Sequence, residues 1–338
     1  MRVSAPRYWL TWRTVTAAAA AAVVVLSAGC GNPESPQVTA PADPAEVSNC
    51  GVDVEVDVAE PPSRVVTMNQ PATEIMLALG LADRLIGTAY LDDDILPEYA
   101  AAYESVPVIA DEYPSKEILL AAEPDFVYAS FGSAFGDEAA GDRAALGELG
   151  VGSYLSPAGC PADVRPSPLT IEHVFGEIRD IATIFGVVDR ADALIDDQRS
   201  RIEAAVAGAG DVSGVSVLWW DGGTDAPSLG ACCGAPNMVM SAVGVSNAFE
   251  DLTGSWGETN WETVIERDPG VIVLIDAAWS PAAEKRSYVE SSVALRDVPA
   301  VADGRFVVIP FSATAAGVRN VAAIELLATG VAALAVSS

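Results

Sequence analysis

The chain has one histidine, His173, and two lysines, Lys116 and Lys285, among its 338 residues. His173 falls inside an amphipathic run predicted to be a helix, so a neutral-pH triad or a histidine metal site lacks its main residue. No glycine-rich phosphate loop ending in lysine is present. The stretch GSAFG at 132–136 does not have its serine in the middle, as a nucleophile elbow requires. Acids are abundant, but no paired carboxylates share a motif, which leaves a carboxylate-based hydrolase as the weaker alternative. The expectation is no enzyme and no cofactor. Cations are scarce as well: 18 Lys+Arg stand against 47 Asp+Glu, a formal net charge of −29. Such a surface repels phosphate backbones, which argues against a nucleic acid partner.

Long apolar runs are also missing. The start, MRVSAPRYWLTWR, is basic and aromatic, and TVTAAAAAAVVVL is followed by LSAGC. That run falls short of the roughly 20 helical residues that cross a bilayer. It reads as a signal peptide over 1–29, with Cys30 as the lipidated residue and Ser27 where leucine is usual. The expected location is the outer face of the cell membrane, held by a lipid anchor. Residues 30–47, with four prolines and little apolar content, read as a disordered tether.

Cysteine is sparse, at five. Four remain after Cys30, and an even number outside the cytoplasm favours disulfides. Cys50 and Cys160 flank the first predicted lobe and are expected to pair. Cys232 and Cys233 are compatible with a vicinal disulfide, free thiols, a soft-metal site or two small residues in a glycine-rich turn.

What the chain does have is 51% hydrophobic residues, enough for two cores, and a repeated grammar. SKEILLAAEPDFVYAS (115–130) and NWETVIERDPGVIVLID (260–276) each start at a capping residue, Ser115 or Asn260. Each then has an acid in the first helical turn, Glu117 or Glu262, an acid-proline stop, and a continuous apolar strand. This matched pattern predicts duplicated α/β lobes with parallel sheets. Strands are expected at 64–68, 84–89, 125–129, 151–155, 214–220, 270–275 and 305–309. Helices are expected at 72–80, 115–122, 137–149, 235–243, 260–267 and 319–336. Between the halves, apolar residues recur at helical spacing from Ile171 to Phe185, Gly186 interrupts, and a second helix runs from Asp189 to about Ala207. The expected organisation is a first lobe over 48–168, connecting helices over 169–212 and a second lobe over 213–338.

In open α/β sheets, ligands bind beyond the carboxyl ends of strands. Those ends carry Asn69, Gln70, Tyr90, Ser130, Phe131, Trp220, Asp276, Trp279 and Phe311. Aromatics mixed with neutral polar groups suit a bulky, partly flat ligand. Among the few cations, Arg319 is the candidate to fork onto one ligand carboxylate or phosphate.

RVVTMNQPATEIMLALGLADRLIGTAY, GVVDRADALIDDQ, SAVGVSNAFED and VPAVADGRFVVIP, together with the two repeats, resemble successive segments of the class III solute-binding proteins of ABC importers. That group carries iron–siderophores, haem and cobalamin. TAYLDDDILPEYA and PFSATAAGVRN are similar to a narrower group assigned to import of a deazaflavin-coenzyme precursor. The resemblance implies two Rossmann-like lobes joined by a long helix, a small-molecule ligand in the cleft, and partnership of a monomer with a permease and its ATPase. It also implies that Trp256 contacts the ligand, although Asp111 and Ser130 stand where cobalamin binders carry bulky rings. It implies that an acid on each lobe docks to permease arginines: Glu74, expected at the outer rim, and Glu250 or Asp251, since Ser246 stands at the matching position. The alternative is a surface lipoprotein with a structural or sensing role.

Overall fold

The computed structural model describes residues 45–56 and 59–336. The signal peptide, Cys30 and nearly all of the tether lie outside the described residues. The chain is already a strand at Ala45–Asn49, short of the tether's expected end at Val47. That strand pairs antiparallel with Val52–Val56 across a two-residue turn. Cys50 and Gly51 both have positive φ, 54° and 78°, the backbone twist that suits a tight hairpin. Arg143 fixes the hairpin to the first lobe by donating to the Asn49 main-chain oxygen at 3.1 Å and to its Oδ1 at 2.9 Å. Cys50 and Cys160 are joined as expected, with Cα atoms 5.4 Å apart. Cys232 and Cys233 are also joined, as a vicinal pair.

The first lobe carries a five-stranded, all-parallel sheet. Its order is Val108–Ala110, Leu85–Ala89, Val65–Met68, Phe126–Ala129, Gly152–Leu155. Val65–Met68 comes first in sequence but lies in the middle, so the winding reverses beside it. Its four residues are all buried, as an apolar strand covered on both faces should be.

The second lobe departs from the expected parallel sheet. Ser216–Gly222, Val271–Asp276 and Phe306–Pro310 run parallel, with short Ser246–Asn247 beside the first of them. Ser228–Gly230 and Trp256–Glu258 add an antiparallel edge. These edge strands have three residues each, too short to show a period in the sequence. The helix expected over 137–149 is also cut down, to Arg143–Gly147 after a 3-10 turn at Gly132–Phe135. Gly141 has φ 84° and ends any continuous helix, and Asp142 caps the remainder by accepting from Ala144 N and Ala145 N.

Two helices connect the lobes, Ile171–Ile184 and Val188–Ala209. His173 serves the first as a cap, its Nδ1 accepting from Thr170 N at 3.0 Å. The second has 22 residues and spans about 33 Å. It is tied to both lobes. Arg190 donates to the carbonyls of Leu79 and Gly80, and Arg201 forks onto Glu325 at 2.9 and 2.7 Å. One continuous apolar core runs from Val65 and Ile75 through Phe175 and Ile195 to Val217 and Leu327. Among the described residues, no helix is long and apolar enough to cross a membrane.

Candidate functional site

The chain leaves the central strand of the first sheet at Met68 and turns sharply. Asn69 has φ 77° and ψ 156°, a positive-φ conformation outside the left-handed helical well and rare for any residue with a side chain. The helix Gln70–Ala78 follows at once, with proline in its first turn. The neighbouring strand ends in the same way, at Tyr90 with φ 56°. These two turns present the Asn69 amide and the Tyr90 ring above the sheet.

They line a cavity of about 940 Å³. Tyr113 stands edge-on to Tyr90, with ring centres 4.5 Å apart, and its hydroxyl accepts from Asn69 Nδ2 at 3.0 Å. That hydroxyl also lies 3.1 Å from Ser133 Oγ. Phe131 follows the Phe126–Ala129 strand, and Phe311 reaches in from the second lobe. Trp279, 62% exposed, packs edge-on against Phe311 with centres 4.8 Å apart. Four acids complete the lining: Asp92, Glu112, Asp137 and Glu138. Burial pushes the Asp92 carboxyl up, and the neighbouring Asp93 adds to this. A smaller cavity of about 70 Å³ also borders on Phe131 and is lined by Trp256 and Arg165.

Asn69, Tyr90, Phe131 and Phe311 are thus brought together around the large cavity, with Trp279 beside Phe311. Trp256 is half-exposed at the smaller one. Other expected contacts are spent elsewhere. Trp220 is fully buried, its indole N–H donating to the Gly222 carbonyl at 2.7 Å and its ring packed edge-on against Trp261. Ser130 is buried, and its hydroxyl accepts from Ala72 N at 3.0 Å. Gln70 is buried and donates to Glu74 Oε1 and to the Asp94 carbonyl, both at 3.1 Å. Asp276 accepts from Ala282 N at the start of the Ala282–Ser291 helix.

Glu74 and Arg319 need the largest correction. The expectation put Glu74 on an exposed rim and Arg319 free for an anion. Glu74 is instead fully buried and faces the other lobe. Arg319 Nε donates to Glu74 Oε2 at 2.7 Å, and a terminal nitrogen of the same guanidinium donates to Oε1 at 2.5 Å. Leu96 N donates to the same carboxylate at 2.9 Å. Arg319 also donates to Ser312 Oγ at 2.7 Å, and Ser312 passes a proton donor on to Asp93 at 2.9 Å. With a further bond to the Asp94 carbonyl at 2.5 Å, four of the guanidinium's five N–H groups are taken up inside the protein. The reason is local: the helix begins at Gln70, so Glu74 lies one turn in, on the side that meets the second lobe. Glu250 is exposed, whereas Asp251 is held by Arg267.

Sequence reasoning missed Tyr113, Ser133 and the four acids. Tyr113 follows a three-residue strand, Val108–Ala110, that gives no periodic signal. The acids were visible as the runs LDDD, DEY and GDE, each close behind a strand.

A cleft between two lobes, at the carboxyl ends of strands and joined by a long helix, is the architecture of a solute-binding protein. Residues 65–313 match the periplasmic binding protein family, and the chain belongs to that family. An uncharacterized ABC transporter substrate-binding lipoprotein of Bacillus subtilis strain 168, YvrC, is 24% identical over 270 residues, which covers 78% of this chain and 80% of that one. A periplasmic binding protein from Veillonella parvula DSM 2008 superposes with TM-score 0.76 at 26% identity, covering 86% of this chain and 97% of its own. An ABC-type Fe3+-hydroxamate transport system protein from Saccharomonospora viridis DSM 43017 gives 0.70 at 24% identity, covering 86% and 99%.

Proposed function

We propose that the protein is the lipid-anchored, extracytoplasmic capture component of an ABC importer. As a monomer it holds a bulky metal chelate or cofactor precursor, of iron–siderophore, corrinoid or deazaflavin type, and delivers it to a permease and its ATPase. The observation that carries this reading is the aromatic-walled cavity of about 940 Å³ in a chain of this family. A cavity near 1,000 Å³ is at the upper end of the range for small-molecule sites and has room for a ligand of chelate size. Anchoring is supported by LSAGC after a short apolar run and by the lipoprotein naming of the Bacillus relative.

Docking is reassigned from Glu74 to the paired first-turn acids Glu117 and Glu262. Both are exposed, and they occupy matching places in the two repeats. Glu250 is a third exposed acid, on the second lobe. Native mass spectrometry of protein purified from its own host tests the capture reading. A co-purifying small molecule of several hundred daltons, lost in a Tyr113→Ala/Phe311→Ala variant, is expected. Protein that comes out ligand-free and that no chelate, corrinoid or deazaflavin stabilises against heat would overturn it.

A further inference from the structure

We propose that the group held in the large cavity is positively charged: an organic cation, or a chelate whose buried end carries net positive charge. The inference rests on the capture reading above and adds the charge of what is captured.

The acids that line the cavity come from three separate segments. Asp92 follows the Leu85–Ala89 strand, Glu112 follows Val108–Ala110, and Asp137 and Glu138 follow Phe126–Ala129. All four share the cavity lining with the rings of Tyr90, Tyr113 and Phe131. None of the four forms an ion pair with a described residue. Some acids elsewhere do, among them Glu172, Asp251, Glu290 and Glu325, which each lie against an arginine. What sets the cleft apart from the rest of the acidic surface is that four acids from three segments and no cation line one cavity.

No lysine, arginine or histidine is among the described residues that line this cavity. Arg319 is committed to Glu74, and Arg165 lines the smaller cavity instead. Carboxylates around one cavity disfavour a further negative charge there, and a cation among them is favoured. Burial, with the neighbouring Asp93 adding to it, pushes the Asp92 carboxyl up, a direction that a cation held beside it would oppose. Aromatic faces are negative at their centres and attract cations, so the rings and the acids favour the same ligand charge. An anionic ligand would meet the repulsion of these four acids and find no cation in the lining.

The test uses one scaffold in three charge states. A ferric linear trihydroxamate with a terminal ammonium, its N-acetylated form and its N-succinylated form are titrated against the full-length protein, with tryptophan fluorescence as the readout. The ammonium form is expected to bind roughly tenfold or more tighter than the succinylated one. That preference should shrink as salt rises and should vanish in Glu112→Gln/Asp137→Asn/Glu138→Gln. It should persist in Glu203→Gln, which removes a charge from the connector helix outside the cleft. Equal or tighter binding of the succinylated form overturns the charge inference and leaves the capture reading standing. A preference that survives the triple variant also overturns it. Failure of all three forms to bind counts against both.

Discussion

Arg319 of the second lobe closes a fork-to-fork ion pair on Glu74 of the first, with Nε–Oε2 at 2.7 Å, and the carboxylate is entirely buried. Beside it the lobes come closer still. A Cβ added to Gly317 would sit 2.8 Å from Pro71 Cβ. The pair therefore works as a clasp between lobes. Breaking a buried pair by removing one partner typically costs about 3–5 kcal/mol, because the other charge is stranded. Glu74→Gln is expected to lower stability by about that much in chemical denaturation, and Glu74→Gln/Arg319→Met by clearly less. Equal losses in the two variants would mean the pair contributes only packing.

Charge reversal at the proposed docking acids should separate binding from transport. Glu117→Arg/Glu262→Arg is expected to abolish uptake in cells while ligand affinity in solution stays unchanged. Glu250→Arg, measured alongside, shows whether the second lobe presents one docking acid or two. Normal uptake in the double variant would send the docking site elsewhere.

The pH dependence of stability has a definite sign. Glu177 on the connector is fully buried, and burial lifts its carboxyl to about 7, although Tyr128 and Ser156 donate to it at 2.6 and 2.8 Å. Unfolded, it titrates near 4.3. The folded state binds the proton more tightly, so this contribution is fully present below about pH 4.3 and is lost as pH rises through 7. Its size is of order 3 kcal/mol. Glu177→Gln should flatten the fall in Tm between about pH 4.3 and 7. An unchanged slope in the variant would show that other groups set it.

The Cys50–Cys160 bridge closes a separation of 110 residues. On chain entropy such a loop is worth about 4–5 kcal/mol. Cys50→Ser/Cys160→Ser is expected to lose that much stability, with the midpoint shift read by circular dichroism. Retention of full stability would show that the Arg143–Asn49 contacts suffice alone.

Much of the scaffold was legible because its signals are long. Apolar strands such as Val271–Asp276 and periodic helices such as Ile171–Ile184 appear near their expected places. Short elements were not legible. Val108–Ala110 and the antiparallel edge have three residues each, and the Asn49–Val52 turn carries cysteine where asparagine would have signalled a hairpin. The site was legible wherever backbone direction decides it, as at Asn69, Tyr90 and Phe311, which follow strand ends. It failed at Trp220 and Gln70, whose partners lie in non-periodic neighbours within their own lobes, and at Glu74, whose partner comes from the facing lobe. A sequence shows that Glu74 lies near the start of a helix; it does not show that Arg319, 245 residues on, waits opposite.

The Cys50–Cys160 link also settles how the molecule bears tension. Every strand of the first sheet, from Val65 to Leu155, falls inside the covalent loop. A pull applied between the two ends of the chain passes from Cys50 straight to Cys160 and bypasses the loop. The walls of the cleft built on that sheet are thereby shielded from load, and what stretches first lies outside them: the Ala45–Asn49 strand on one side, the connector and second lobe on the other.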